Sequence, residues 1–100
     1  MGAHSKNQAW LSKMVEEALE PELPICDPHH HLWDQREGAE QPRYLLDEML
    51  DDLAGGHNIV STVFIECGAM FKADGPENFR CVGETEFVNG IAAMSASGGY

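Results

Sequence analysis

The chain holds 100 residues, 43% of them hydrophobic, with six Lys and Arg against 17 Asp and Glu, a formal net charge of −11. That balance repels polyanions over most of the surface and excludes nucleic acid and anionic membrane surfaces as partners. Cys26, Cys67 and Cys81 are odd in number, widely spaced and without a Cys-x-x-Cys pair. This argues against a disulfide framework or a thiolate zinc site and for a reduced, cytoplasmic protein.

From Ser5 or Asn7, either a suitable helix cap, the apolar positions Trp10, Leu11, Met14, Val15, Ala18 and Leu19 recur at three-and-four spacing until Pro21 ends the pattern. The spacing predicts an amphipathic helix that packs against, or caps, the bottom of a fold; helix and lead-in occupy residues 1–22. A first strand is expected over Ile25 to His29, followed by a polar loop from Gln35 to Pro42. Tyr44, Leu45, Leu46, Met49, Leu50 and Leu53 then form a helical stripe that stops at Gly55-Gly56. The β-branched run from Ile59 to Ile65 reads as a strand covered on both faces, and it is far too short to span a bilayer. A loop through Gly68 to Gly75 leads to a last helix marked by Phe79, Val82, Phe87, Ile91 and Met94, with Gly83 and Gly90 interrupting it.

Strand, helix, strand, helix with short connections is the βαβ rhythm, so the two strands are expected parallel in one sheet. Such a sheet has an open edge, and alone it should be marginally stable or associate with a second copy.

The chemistry concentrates after the first strand. His29 and His31 are two apart, and alternation along a strand points both imidazoles the same way, with His30 opposite. At the C-terminal end of a barrel strand, two such rings begin a divalent metal site. Asp27 is the candidate to orient one of them from behind, since ligating imidazoles usually donate their second N–H to a carboxylate or carbonyl. Glu66 ends the second strand where substrate-facing groups gather, although a solvated loop carboxylate reads equally well there. Cys67 reads as a packing residue, His57 as part of a turn at the opposite end, and Trp33 as packing beside the strand end. Glu84 and Glu86 lie early in the last helix, where carboxylates suit its dipole.

The run Asp27-x-His29-x-His31-Leu32-Trp33-Asp34 closely resembles the first-strand motif of the amidohydrolase superfamily. Within it, the flanking Leu-Trp-Asp favours the amidohydrolase-related (amidohydrolase 2) group of metal-dependent hydrolases over other barrel hydrolases that open with His-x-His. The resemblance continues through residues 43–48, 56–67 and 82–90, and so covers most of the chain from about residue 24 onward.

It implies an α/β fold in which residues 23–100 form the first two β/α units of a (β/α)₈ TIM barrel, an incomplete barrel preceded by the extra helix. It implies zinc or manganese as cofactor and a metal-activated water attacking an amide or lactone carbonyl of a small molecule. Some relatives decarboxylate instead, and others dispense with metal. The family's later strands bring a base carboxylate, further histidines and a late aspartate, none of which is present here. A catalytic zinc normally has three protein ligands, so two imidazoles should bind metal weakly. The other expectation for this chain is therefore a truncated, catalytically inactive fragment or an acidic self-associating module.

Overall fold

A computed structural model describes residues 4–100 of the chain, with side chains from residue 8 onward. Residues 1–3 lie outside the described residues, as do the side chains of Ser5 and Asn7 expected to cap the first helix. The order of elements is α1 (His4–Leu11), β1 (Pro24–His30), α2 (Leu46–Leu53), β2 (Asn58–Phe64), a 3₁₀ turn (Glu77–Phe79) and α3 (Val82–Ala96). It is a mixed helix-and-strand fold around a two-stranded parallel sheet.

The first helix departs from the sequence expectation. It ends at Leu11 instead of running on toward Pro21, and Trp10, Leu11, Met14, Val15 and Leu19 are all exposed. Short helices gain most of their stability from packing, and with nothing against its apolar side the stripe does not carry a continuous helix. The lead-in is tied to the bottom of the sheet by a polar bond instead, Asn58 Nδ2 donating to the Glu22 carbonyl at 3.1 Å.

In the sheet Ile25 stands beside Ile59, Cys26 beside Ser61, Asp27 beside Thr62 and His30 beside Phe64, with register shifts after Ile25 and between Asp27 and His30. The second shift falls at Pro28, which has no N–H to give to a ladder, so a bulge there follows from the sequence. Ile25, His30, Ile59 and Phe64 are half-buried, and His30 stacks edge-on to Phe64 with ring centroids 5.6 Å apart. The expectation that β2 is covered on both faces does not hold. Val60, which lines the open cleft beside α2 and α3, is 63% exposed, and Val63 is 44% exposed.

α2 begins later than its apolar stripe, because Tyr44 is engaged elsewhere. Trp33 and Tyr44 form an antiparallel bridge with both main-chain bonds made, Trp33 N–H to Tyr44 O at 2.8 Å and Tyr44 N–H to Trp33 O at 2.9 Å. The helix then starts from Leu45, whose N–H is accepted by Glu48 Oε2 at 3.1 Å, a return bond typical of helix starts. It stops where Gly56 takes φ +104°, a left-handed conformation that glycine adopts without steric cost.

The core is small. Leu32, 1% exposed, and Leu46 are the buried apolar side chains among the described residues. Between the sheet and helices α2 and α3 runs a cleft of about 480 Å³, lined by His30, Leu32, Leu50, Phe64, Val88 and Ile91 among others. The radius of gyration is 15.7 Å, against about 13 Å for a compact domain of this length. Among the described residues no helix is long and apolar enough to cross a membrane.

At the start of α3 the backbone comes close to the preceding loop. A Cβ placed on Gly83 would stand 2.3 Å from the Met70 carbonyl oxygen and 3.0 Å from the Lys72 nitrogen, so the helix meets the preceding loop backbone to backbone. Gly83→Ala is expected to push loop and helix apart and cost about 1–3 kcal/mol, the range for overpacking a fitted contact. Urea denaturation followed by circular dichroism measures it, and an unchanged midpoint would contradict this packing.

Candidate metal-binding histidine pair

The C-terminal ends of β1 and β2 are knitted together beyond the last strand residues. Ile65 N–H donates to the His30 carbonyl at 2.9 Å, and the Ile65 carbonyl accepts a bond at 2.8 Å from Nδ1 of His31. A carbonyl can only accept, so His31 holds its proton on Nδ1, and in the neutral ring Nε2 is left as a lone pair. That lone pair faces His29. The two Nε2 atoms are 3.0 Å apart, and the rings meet edge to face with centroids 4.8 Å apart.

His29 is exposed and His31 half-buried, so the pair opens to solvent. His31 lies one residue past β1, and the bulge at Pro28 precedes both rings. His30 turns the other way, into the cleft under the helices, where burial holds its imidazole below the ordinary histidine value against the opposing pull of Asp27. Its Nδ1 is buried with no hydrogen-bond partner among the described residues.

The two facing nitrogens suit a shared cation. At the usual zinc–nitrogen distance, tetrahedral coordination puts two ligand nitrogens about 3.3 Å apart, close to the 3.0 Å seen here without any ion. The carbonyl held by His31 Nδ1 is also the partner that fixes a ligating ring in place. Among the described residues, no group of three or more His, Cys, Asp or Glu side chains is arranged to hold a metal ion. The pair offers two nitrogens, and among the described residues no third such group stands beside it.

Asp27 meets His29 through the main chain. Its Oδ1 accepts the main-chain N–H of His29 at 3.2 Å, a local turn bond that shapes the bulge and acts on the ring only through its backbone. Glu66 follows β2 at the same end of the sheet and is exposed. His57 is exposed at the opposite end, in the α2–β2 connection.

Trp33 flanks the pair, its ring centroid 5.5 Å from that of His31. The Arg36 guanidinium lies 4.3 Å over the Trp33 ring and donates from Nη2 to the Gln41 carbonyl at 2.9 Å. A cation stacked on an indole is held by the ring's negative face, and here it braces the loop beside the histidines. Nothing in the spacing of Trp33 and Arg36 signalled that stack.

Glu84 lies in the first turn of α3, as expected, and has a further role that the sequence did not show: it is 6% exposed, and its Oε2 accepts the main-chain N–H groups of Cys67 at 3.1 Å and Ala69 at 2.7 Å. Glu86 keeps the surface role, 3.3 Å from Lys72 Nζ. The Cys67 thiol lies 3.6 Å from both Glu84 Oε2 and the Leu32 carbonyl. Burial first, and the Glu84 charge with it, push that thiol above its ordinary value, which suits packing and not nucleophilic attack.

Compared with protein-family models, with curated proteins and with solved structures, the chain matches none.

Tyr44, which closes the loop behind Trp33, donates its hydroxyl to Asp52 Oδ2 at 2.6 Å. Burial, then this carboxylate, raise its ionisation above the ordinary tyrosine value. The folded chain therefore keeps the phenol proton to higher pH than the unfolded chain. The stabilisation is complete below about pH 10 and is lost as pH rises through the folded value. Urea midpoints should hold level up to about pH 9.5 and fall beyond it. In Tyr44→Phe the midpoint should be lower at neutral pH and the alkaline fall shallower; an equally steep fall would contradict the assignment.

Proposed function

We propose that this chain carries the first two β/α units of an amidohydrolase-related (β/α)₈ barrel, in which His29 and His31 hold a divalent cation for hydrolysis of an amide or lactone carbonyl in a small molecule. The observation that carries the reading is the facing pair of Nε2 atoms, 3.0 Å apart, with His31 fixed by the Ile65 carbonyl. Two imidazole Nε2 atoms turned toward one another at the C-terminal end of parallel strands, hydrogen-bonded as they stand and both able to ligate once His29 gives up its Nε2 proton, make a site a cation fits. The motif from Asp27 to Asp34 and the mixed parallel fold support the same reading.

A zinc or manganese ion bound there would polarise a carbonyl and acidify a water. The chain's own residues do the rest. Ile65 O accepts the Nδ1–H of His31 and so leaves the other ring nitrogen toward His29. Trp33 walls one side of the pair and Arg36 steadies that wall. Glu66, exposed past β2 at the same end, is the residue assigned to the substrate in this reading. The free thiols of Cys26, Cys67 and Cys81 support a cytoplasmic setting, and the net charge of −11 weighs against nucleic acid.

Decarboxylation at the same pair uses the same ligands, and turnover of lactone against carboxylate substrates separates the two. A second reading, a chain that is non-catalytic by itself and associates with a second copy, draws on the exposed Val60 and Val63 and on the two-member ligand set.

Titration of Zn(II) or Mn(II) into the metal-free protein, followed by calorimetry, tests the site. One specific ion per chain is expected, with affinity at least about 10-fold lower in His29→Ala and in His31→Ala, no less than the effect of losing an outer-sphere partner. Uptake that is absent, or unchanged from the wild-type protein in both variants, would remove the metal reading. Sedimentation and an ester and lactone hydrolysis assay on the same samples then distinguish a catalyst from an inert, self-associating chain.

A further inference from the structure

The segment that follows β2 is held from two sides. On the β1 side the contacts run as a zipper past the strand ends: Ile65 N–H to His30 O at 2.9 Å, His31 Nδ1 to Ile65 O at 2.8 Å, and Cys67 Sγ to Leu32 O at 3.6 Å. On the α3 side a single oxygen, Glu84 Oε2, takes the N–H groups of Cys67 and Ala69, with the Cys67 thiol 3.6 Å away. Gly68, between the two donors, has φ +78°. A left-handed residue at that point curls the backbone so that the flanking N–H groups converge on one acceptor, the geometry of an anion nest.

A carboxylate at a helix start needs no burial to gain from the helix dipole, as Glu86 next along shows by staying on the surface. Glu84 is buried because it fills the nest. Its grip falls two residues beyond the carbonyl that orients His31; further along, Met70 meets Gly83 backbone to backbone and Lys72 N–H reaches the Arg80 carbonyl at 2.9 Å. Gly83, the preceding residue, lets α3 come close enough for the grip.

We propose that Glu84 is a positioning residue for the histidine pair. By holding the 67–69 nest it fixes the Ile65 carbonyl, and through that carbonyl the ring orientation and tautomer of His31. The proposal rests on the metal reading for its purpose but not for its mechanism, since the carbonyl orders His31 whether or not an ion is bound.

Long-range proton–nitrogen correlation spectra of the metal-free protein report the His31 tautomer directly, and Co(II) absorption titrations report the affinity of the pair. The wild-type protein should show His31 with its proton on Nδ1. Glu84→Ala should give a mixture of the two tautomers and about a 10-fold or greater loss of Co(II) affinity. Glu84→Gln keeps an acceptor oxygen in place and should restore the Nδ1–H form. If Glu84→Ala does not fold, Glu84→Asp, one methylene short of the nest, is measured in its place with the same expectation.

A folded variant with the wild-type tautomer and wild-type Co(II) affinity would overturn the proposal and leave the metal site standing. A tautomer that responds in a protein that takes up no Co(II) would do the reverse, removing the metal reading and upholding the positioning role.

Discussion

The main chain of Ile65 is the point on which the structure turns. Its N–H completes the parallel ladder onto His30, and its carbonyl, one peptide later, takes the proton of His31. Strand pairing and the presentation of a candidate ligand are thereby one event. If β1 and β2 separate, the ring loses its acceptor, and the nitrogen facing His29 no longer has a fixed lone pair. A hydrogen bond between neutral groups contributes only about 1 kcal/mol net, so the anchor depends on the ladder beside it and on the loop behind it.

Much of this was legible from residue order. The β-branched run in β2, the glycine pair after α2 and the alternation of His29 with His31 fixed two parallel strands, an intervening helix and a pair of rings on one side. The parts that were not legible have physical reasons. The stripe from Trp10 to Leu19 has helical spacing, but periodicity cannot tell whether a partner face exists, and none covers it. Val60 and Val63 look like residues of a sheet covered on both faces for the same reason.

Glu84 illustrates a different limit. A glutamate in the first turn of a helix has an ordinary explanation in the helix dipole, and its true partners are main-chain N–H groups 15 and 17 residues earlier. Backbone donors leave no mark in a sequence. The one signal available was Gly68 between two residues of a loop, a position that becomes informative only once its φ is known. Asp27 meets the histidines through the main chain. Its proximity to the histidines suggested an imidazole partner, whereas the nearest donor to a short carboxylate two residues upstream is the peptide N–H of His29.

Because the group that orients His31 is a peptide carbonyl, the side chain at position 65 is not what performs the task. Any residue able to stay extended there supplies the same acceptor, and even proline, which would forfeit the bond to His30, keeps the oxygen. The identity of residue 65 is therefore free to answer to packing alone, while the histidine it steadies answers to chemistry. Two neighbours in space are thus released from having to change together.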